Sequence, residues 1–301
     1  MRLAAVLLAG LVVTSAAAQP VWRPDVPGTS VSLDVLKSVG QDGVMFGDES
    51  GQPLGEASPN LVQSAQILSA RVPVGRVVAV VELPFAVVSY SYPDDLEQAF
   101  DVPIRSSDVG VGNPYLGAEY AVSPGVVVEG GVRLPLASRD DGAVAFFTSD
   151  GVGYLADVER PEAFLPDVAS ATVGVTAQRS VAPGVDVRVE LAPTLMYDTR
   201  GSVDLTSDGV DDPFRPGPAL WARYGAQVVL GVGPALLHGG LAGRQGIASD
   251  PYYTLSHTAS AVLGVVAAGL PVRPGVLVRV PVLGEFRPDP VVGLSLTVPL
   301  R

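Results

Sequence analysis

The sequence predicts an all-β chain that folds into an antiparallel, up-and-down transmembrane β-barrel of about twelve strands. Three observations predict it. Apolar and polar side chains alternate along many short segments, and this period of two belongs to strands rather than helices. The chain holds 34 Gly and 27 Pro but only 6% aromatic residues, which favours many short strands joined by turns. Tight turns alternate with long polar loops, as in bacterial outer-membrane barrels.

The first residues predict export from the cell. Arg2 is followed by an apolar run over residues 3–13, and Ala16-x-Ala18 fits a signal-peptidase cleavage site. The run is too short to span a bilayer. We therefore expect residues 1–18 to be a signal peptide and residues 19–301 to form a single barrel domain in the outer membrane. The chain has no cysteine, which excludes a lipoprotein anchor and a disulfide framework.

The segment 109–136 shows the alternation most clearly. It divides at Ser123-Pro124-Gly125, a tight-turn tripeptide, and Val132 then shares one face with other Val and Leu residues while Glu129 and Arg133 share the opposite face. An arginine on the lipid face at mid-bilayer costs about 2–4 kcal/mol. The charged face is therefore expected to point into the barrel, and the Val and Leu face toward lipid.

The other segments repeat this pattern, each close to the roughly 9–11 residues that a tilted strand needs to cross a bilayer. The predicted strands cover residues 29–39, 61–72, 76–88, 109–122, 126–136, 168–181, 185–197, 218–232, 235–243, 258–271, 276–286 and 291–300. Tight turns are predicted at 73–75, 123–125, 182–184, 233–234 and 273–275, and longer loops at 40–60, 89–108, 137–167, 198–217 and 244–257. An even strand number places both termini on the periplasmic side, with the short turns.

The inward face predicts a lumen that is polar and of mixed charge. The residues expected to line it are Glu82, Glu119, Glu129, Arg133, Asp186, Arg188, Glu190, Arg223, Arg279 and Glu285. Two alternatives stay open: these side chains line a path for a solute, or they fill the interior as an ion-paired plug. In the hairpin, Glu119 should face Glu129. Because opposed like charges are destabilising, we expect Arg133 or an arginine of a neighbouring strand between them, or one protonated glutamate.

Aromatic residues fall at two kinds of position. Near strand ends on the outward face, they are expected to form the girdles of a membrane barrel; these are Tyr120, Tyr197, Phe85 and Phe286. Others lie in the 137–167 loop, which either folds inward and narrows the barrel or packs on a neighbouring loop; these are Phe146, Phe147, Tyr154 and Phe164.

Other functions are poorly supported by the residues present. A hydrolase of the Ser/His/acid type needs a histidine base, and His238 and His257, the chain's two histidines, stand near no recognisable nucleophile motif. No enzyme activity, transition-metal site or cofactor is therefore expected. An acidic loop either binds calcium or is simply solvated; its members are Asp204, Asp208, Asp211 and Asp212. The net charge of −12 and the lack of a basic patch exclude nucleic acid as a partner.

A helical membrane protein is also disfavoured. Residues 224–243 form a run without formal charge that is long enough for a membrane helix. The run is rich in glycine, however, and divides into two strand-length halves at Gly233-Pro234. A secreted soluble β-sandwich is the remaining alternative fold.

Short motifs resemble a family of outer-membrane barrels, the putative meta-pathway phenol-degradation proteins, often called transporters. The motifs are Asp108-Val109-Gly110-Val111-Gly112, Tyr115-Leu116-Gly117-Ala118-Glu119-Tyr120, and Val132-Arg133-Leu134-Pro135 with its echo Val81-Glu82-Leu83-Pro84. The resemblance implies a barrel that admits hydrophobic or aromatic solutes, and it carries no catalytic residues. Barrels of this kind usually end in an aromatic residue read by the insertion machinery, whereas the last residues here are Val298-Pro299-Leu300-Arg301.

The sequence therefore predicts a passive outer-membrane channel or transporter for small solutes. The expected partners are membrane lipid, a small-molecule solute and the outer-membrane insertion machinery. The alternative function is a structural or surface-interaction barrel whose lumen is plugged.

Overall fold

The computed structural model of the protein describes residues 28–38, 60–91, 105–137, 160–199, 218–248, 257–284 and 290–300. Thirteen strands lie in these ranges, together with a short 3₁₀ helix at Pro161–Ala163. In chain order the strands are β1 (Thr29–Ser38), β2 (Asn60–Val74), β3 (Val77–Ser91), β4 (Arg105–Val111), β5 (Tyr115–Ser123), β6 (Val126–Arg133), β7 (Val168–Ala182), β8 (Val185–Asp198), β9 (Ala219–Val232), β10 (Ala235–Ala248), β11 (His257–Ala267), β12 (Arg273–Gly284) and β13 (Val291–Leu300).

The strands form one closed antiparallel sheet. Apart from β4 and β5, which both pair with β3, each strand pairs with its neighbours in the chain, and β1 pairs with β13 to close the ring. Strand β3 pairs with β5 through residues 77–82 and with β4 through residues 85–91. Together β4 and β5 therefore occupy the place of one strand that is interrupted at residues 112–114, and the barrel has twelve strand positions. The predicted antiparallel barrel of about twelve strands is confirmed, while the interruption was not predicted.

Side chains alternate between the outside and the inside of the barrel. In β7, for example, Thr172 is 7% exposed and the adjacent Val173 is 61% exposed. In the hairpin of β5 and β6, Val132 is exposed while Glu129 and Arg133 are buried, as its pattern predicts. The exposed residues of the wall are largely Val and Leu, and many buried ones are polar. This inside-out distribution suits an outer surface that is solvated by hydrocarbon.

Four of the five predicted tight turns lie where the sequence places them. Each contains a glycine with a positive φ, among them Gly75 at 66° and Gly125 at 80°, a conformation that glycine adopts at no steric cost. The β5–β6 turn differs in one detail. Ser123 rather than Val122 pairs with Val126, because a bulge lies between Ala121 and Ser123. The bulge absorbs the extra residue, so the register farther along the hairpin is the predicted one.

The fifth turn prediction is wrong. The sequence places it at Arg273-Pro274-Gly275, whereas the structure turns between the end of β11 at Ala267 and the start of β12 at Arg273. Gly275 lies within β12 and pairs with Val266. Its lack of a side chain is needed for packing rather than for turning, since a Cβ atom there would overlap the hydroxyl of Ser295 and crowd Val266.

The described turns share one end of the barrel with the chain's first and last paired residues, Thr29 and Leu300. The longer connections predicted for the opposite end lie almost entirely outside the described residues. Among their described parts, residues 89–91, 105–108 and 244–248 belong to β3, β4 and β10, so these strands are longer than predicted. Residues 160–167, the last part of the 137–167 loop, lie inside the barrel. In the described ranges, no helix is long and apolar enough to cross a membrane.

Candidate functional site

The barrel interior concentrates charge. In the described ranges, six carboxylates and seven arginines are buried. The carboxylates are Asp34, Glu82, Glu119, Glu129, Glu162 and Glu190, and the arginines are Arg71, Arg133, Arg160, Arg188, Arg223, Arg244 and Arg279. Removing a charged group from water costs several kcal/mol unless it is paired and hydrogen-bonded. The two signs are nearly balanced, and ion pairs with glutamates meet this requirement for Arg71, Arg133, Arg160 and Arg223.

One cluster of charges surrounds Arg133, on β6. Its Nη2 donates to Glu82 Oε2 at 2.7 Å, and its Nε lies 3.5 Å from Glu162 Oε1. Arg160 Nη1 donates to the other oxygen of Glu82 at 3.2 Å. Arg133 also donates from Nη1 to the backbone carbonyl of Asn113 at 3.2 Å. The cluster therefore joins the barrel wall at β3 and β6 to residues 160–162, which precede β7.

A second cluster surrounds Arg223, on β9. Its Nε donates to Glu190 Oε1 at 2.8 Å, and its Nη2 donates to Glu129 Oε1 at 3.3 Å. Glu119, the cross-strand partner of Glu129, forms a separate ion pair with Arg71 on β2. The predicted facing of Glu119 and Glu129 is thus confirmed. The arginines that neutralise them come from β2 and β9, and Arg133 does not lie between them.

The two clusters meet at a small cavity. Its volume is about 10 Å³, which is roughly the minimum that holds one water molecule. The cavity is lined by Glu82, Tyr115, Glu129, Arg133, Arg160, Glu162, Thr172 and Arg223. We call these eight residues the constriction, because long charged side chains from β3, β6, β9 and residues 160–162 converge there.

The Tyr115 ring packs flat against the wall at the constriction. Tyr115 faces inward on β5, and a Cβ atom at Gly117 or Gly131 would overlap its ring. The guanidinium of Arg133 lies 5.2 Å from the ring centroid, within the range of a cation–π contact. Gly117 and Gly131 pair with each other across β5 and β6, and their lack of side chains leaves the space against the wall that the ring occupies.

Residues 160–167 fold into the barrel; we call them the inward segment. Phe164 is 3% exposed and Leu165 is 6% exposed. Leu165 belongs to a buried apolar cluster with Val168, Met196, Ala219 and Trp221. Of the two alternatives for the 137–167 loop, its described end therefore adopts the inward one. Phe146, Phe147 and Tyr154 of the same loop lie outside the described residues.

The structure places nine of the ten predicted lumen residues. Eight of them are buried: Glu82, Glu119, Glu129, Arg133, Arg188, Glu190, Arg223 and Arg279. Asp186 is half-buried, where it accepts hydrogen bonds from Ser180 and Gln178. Glu285 lies outside the described residues. The constriction brings together four of the set, Glu82, Glu129, Arg133 and Arg223, while Arg188 and Arg279 lie away from it. A role for these residues along a solute path stays a prediction.

Several residues of the site were not predicted. Tyr115 and Arg71 lie on inward faces of their strands, so side-chain alternation could have identified both. Arg160 and Glu162 reach the constriction from a loop, where no periodic pattern indicates the direction of a side chain. Asn113, which contacts the inward segment, lies at the unpredicted strand interruption.

The histidines occupy two different environments. His238 is buried on β10 with its ring over Gly264. His257 hydrogen-bonds through Nε2 to the Tyr224 hydroxyl at 2.7 Å. In the described ranges, no group of three or more potential ligands could hold a metal ion. The acidic loop 204–212 and Phe286 lie outside those ranges. The predicted girdle residues Tyr120 and Tyr197 are exposed on the outer wall, and Phe85 is half-buried.

No protein-family model and no curated protein matches the chain. Among solved structures, the chain is similar to an outer membrane channel from Pseudomonas putida F1, with 12% identity and a TM-score of 0.55 over 94% of this chain and 99% of that one. LpxR from Salmonella typhimurium gives 13% identity and a TM-score of 0.47, over 90% of this chain and 100% of that one. The CymD monoaromatic hydrocarbon channel gives 11% identity and a TM-score of 0.44, over 91% of this chain and 89% of that one. The likeness to the Pseudomonas putida channel shows a shared barrel fold.

Proposed function

We propose that the protein is an outer-membrane channel through which small solutes diffuse passively. The observation that carries the proposal is the charged interior of a closed barrel whose outer wall is apolar. A barrel that served only as a scaffold would gain as much stability from an apolar interior, because buried ion pairs rarely outperform well-packed apolar residues. A polar lumen is instead what a solute path through a membrane requires.

Two further features support the same proposal. The signal-like residues 1–18 and the apolar outer wall are what an exported outer-membrane barrel needs. The Pseudomonas putida structure that the chain resembles is described as an outer membrane channel. The resemblance of the motif Asp108–Gly112 and its companions to the phenol-degradation family extends the proposal to hydrophobic or aromatic solutes.

In this proposal the ten predicted inward residues line the solute path, and the constriction sets its narrowest point. The side chains there are long and end in charged groups, so rotation of one arginine or glutamate changes the width without moving the backbone. Three glutamates and three arginines line the constriction, and their formal charges cancel. A path with no net charge at its narrowest point discriminates between solutes by their size rather than by the sign of their charge.

A second function is favoured by one observation, the constriction cavity of about 10 Å³. Charged side chains that leave between them a cavity for about one water molecule are what a plugged barrel would show, and such a barrel would act through structure or through its surface. The plugged barrel and the channel differ in one measurable property, the permeability of the closed membrane that contains the protein.

Liposome swelling separates the two functions. The full mature chain is reconstituted into multilamellar liposomes, and the liposomes are diluted into iso-osmotic solutions of neutral solutes of increasing size, from glycerol to a trisaccharide. A channel predicts swelling with glycerol that falls steeply as the solute grows. Swelling no faster than that of protein-free liposomes for every solute would support the plugged barrel instead.

A further inference from the structure

The interruption between β4 and β5 presents the polar side chain of Asn113 to the lumen. Strand β4 ends at Val111 and β5 begins at Tyr115, and between them Asn113 is fully buried, with 0% of its surface exposed. Its backbone N–H donates a hydrogen bond of 2.7 Å to the carbonyl of Ala163, which is a residue of the inward segment. Gly112 packs against the same carbonyl so closely that a Cβ atom at Gly112 would overlap it. The interruption therefore serves as a docking point for the inward segment.

The Asn113 side chain contacts both ends of this segment. Its Nδ2 lies within hydrogen-bonding distance of three carbonyl oxygens, those of Glu162 at 3.0 Å, Leu165 at 2.6 Å and Val168 at 3.2 Å. Its Oδ1 accepts from the Ala137 N–H at 2.8 Å. A primary amide is the group that suits this site, because it supplies two N–H donors and a carbonyl acceptor on the same carbon.

The contacts of Asn113 fix the backbone on either side of Ala163. Glu162 and Arg160 contribute two of the side chains that line the constriction, and both are held by ion pairs to wall residues, Arg133 and Glu82. On the other side, Leu165 fits into the apolar cluster at Trp221 and Met196. Asn113 thus lies at the centre of a segment whose polar end narrows the lumen and whose apolar end anchors it.

We propose that Asn113 is a positioning residue that holds residues 160–167 in the lumen and thereby sets the width of the constriction. Its effect on width is a property of the proposed channel, so that part rests on the proposed function. Its effect on the placement of the segment does not. Without the amide, three carbonyl oxygens lose their donor inside the barrel, and a buried unsatisfied polar group is costly. Leaving the lumen then lowers the free energy of the segment, because water outside the lumen can solvate those carbonyls.

The experiment uses the absence of native cysteine. Ala163→Cys introduces one thiol at a position that is 0% exposed, and a membrane-impermeant maleimide then reports whether the segment has left the lumen. The thiol is placed in the otherwise native chain and in chains carrying Asn113→Asp or Asn113→Leu. Asn113→Asp is nearly isosteric but presents oxygen to all three carbonyls. Gln227→Leu is the matched control, because Gln227 is a buried amide on β9 that lies outside the constriction.

We expect the maleimide to react about tenfold faster or more in both Asn113 variants, as loss of one to two buried hydrogen bonds requires, and at the native rate in the Gln227→Leu chain. Equal rates in all four folded chains would overturn the proposal. Heat-modifiable gel mobility establishes folding. Where either variant does not fold, Asn113→Ser takes its place, since a hydroxyl satisfies at most one of the three carbonyls, and an unchanged rate there overturns the proposal equally.

Single-channel conductance of the same chains separates the two proposals. Faster labelling together with larger conductance supports both the positioning role and the channel. Faster labelling with no conductance in any chain supports the positioning role and overturns the channel. Unchanged labelling with conductance in the native chain supports the channel and overturns the positioning role.

Discussion

Glu119 and Glu129 face each other directly across β5 and β6, yet each carboxylate is neutralised by an arginine from another part of the barrel. Arg71 reaches Glu119 from β2, and Arg223 reaches Glu129 from β9. The repulsion between opposed like charges is thus relieved by arginines two and three strands away rather than by a residue of the hairpin itself. The pairing joins strands that are not hydrogen-bonded neighbours through the interior of the barrel.

The first prediction concerns the stability of the Arg71–Glu119 pair. Arg71→Gln should lower the free energy of unfolding by about 3–5 kcal/mol, because it leaves Glu119 buried without its cation. The double variant Arg71→Gln/Glu119→Gln should recover part of that loss. Urea titrations of the protein refolded into lipid vesicles measure the difference. Arg179→Gln is the control, since Arg179 is exposed at the rim and should change stability by less than about 0.5 kcal/mol. A double variant that is less stable than Arg71→Gln would contradict the prediction.

The second prediction concerns ion selectivity at the constriction. The charges of its three glutamates and three arginines cancel, so Arg223→Gln leaves one excess negative charge and Glu129→Gln leaves one excess positive charge. Reversal potentials in a KCl gradient should therefore shift toward cation preference in the first variant and toward anion preference in the second. Shifts of the same sign in both variants would show that these residues do not face the ion path.

The third prediction compares two tyrosines of β5 that lie on opposite faces. Tyr115 lines the constriction, while Tyr120 is 43% exposed on the outer wall. Tyr115→Ala should raise the single-channel conductance, because the ring fills lumen space above Gly117 and Gly131. Tyr120→Ala removes the same number of atoms on the lipid side and should leave the conductance unchanged. Equal conductances in the two variants would contradict the assigned constriction.

The fourth prediction tests which face of the wall meets lipid. Leu191 is 51% exposed near the middle of β8, and Tyr197 is 61% exposed near its end. Leu191→Arg should lower the free energy of unfolding in vesicles by about 2–4 kcal/mol, and Tyr197→Arg by about 0–1 kcal/mol, because the cost of a lipid-facing charge falls toward the interface. Equal costs at both positions would mean that the wall does not cross a bilayer in the proposed orientation.

Side-chain alternation was enough to predict the barrel, its approximate strand number and the face on which most charged residues lie. It works because a strand in a membrane has only two faces, and the cost of a lipid-facing charge leaves no choice between them. The same logic placed Glu129 and Arg133 inside and Val132 outside.

The partners of the interior charges could not be predicted in this way. Arg160 and Glu82 are 78 residues apart in the chain, and their meeting depends on the tilt and stagger of the strands, which alternation does not determine. The interruption at Asn113 was missed for a related reason. Val111 is exposed on the outer wall, whereas Tyr115, four residues later, faces inward. The alternation therefore changes phase across residues 112–114, where three residues oppose two of β3, and a single continuous strand over residues 109–122 does not allow for this shift.

Planar-bilayer recording of the wild-type protein tests the central claim most directly. The mature chain is inserted into a bilayer in 1 M KCl, and insertion is verified independently by recovering the heat-modifiable barrel from vesicles of the same lipid. The proposed channel predicts small, discrete conductance steps in the wild type that grow in Tyr115→Ala and not in Tyr120→Ala. Verified insertion without conductance steps in any of the three proteins would contradict a channel and establish a plugged barrel.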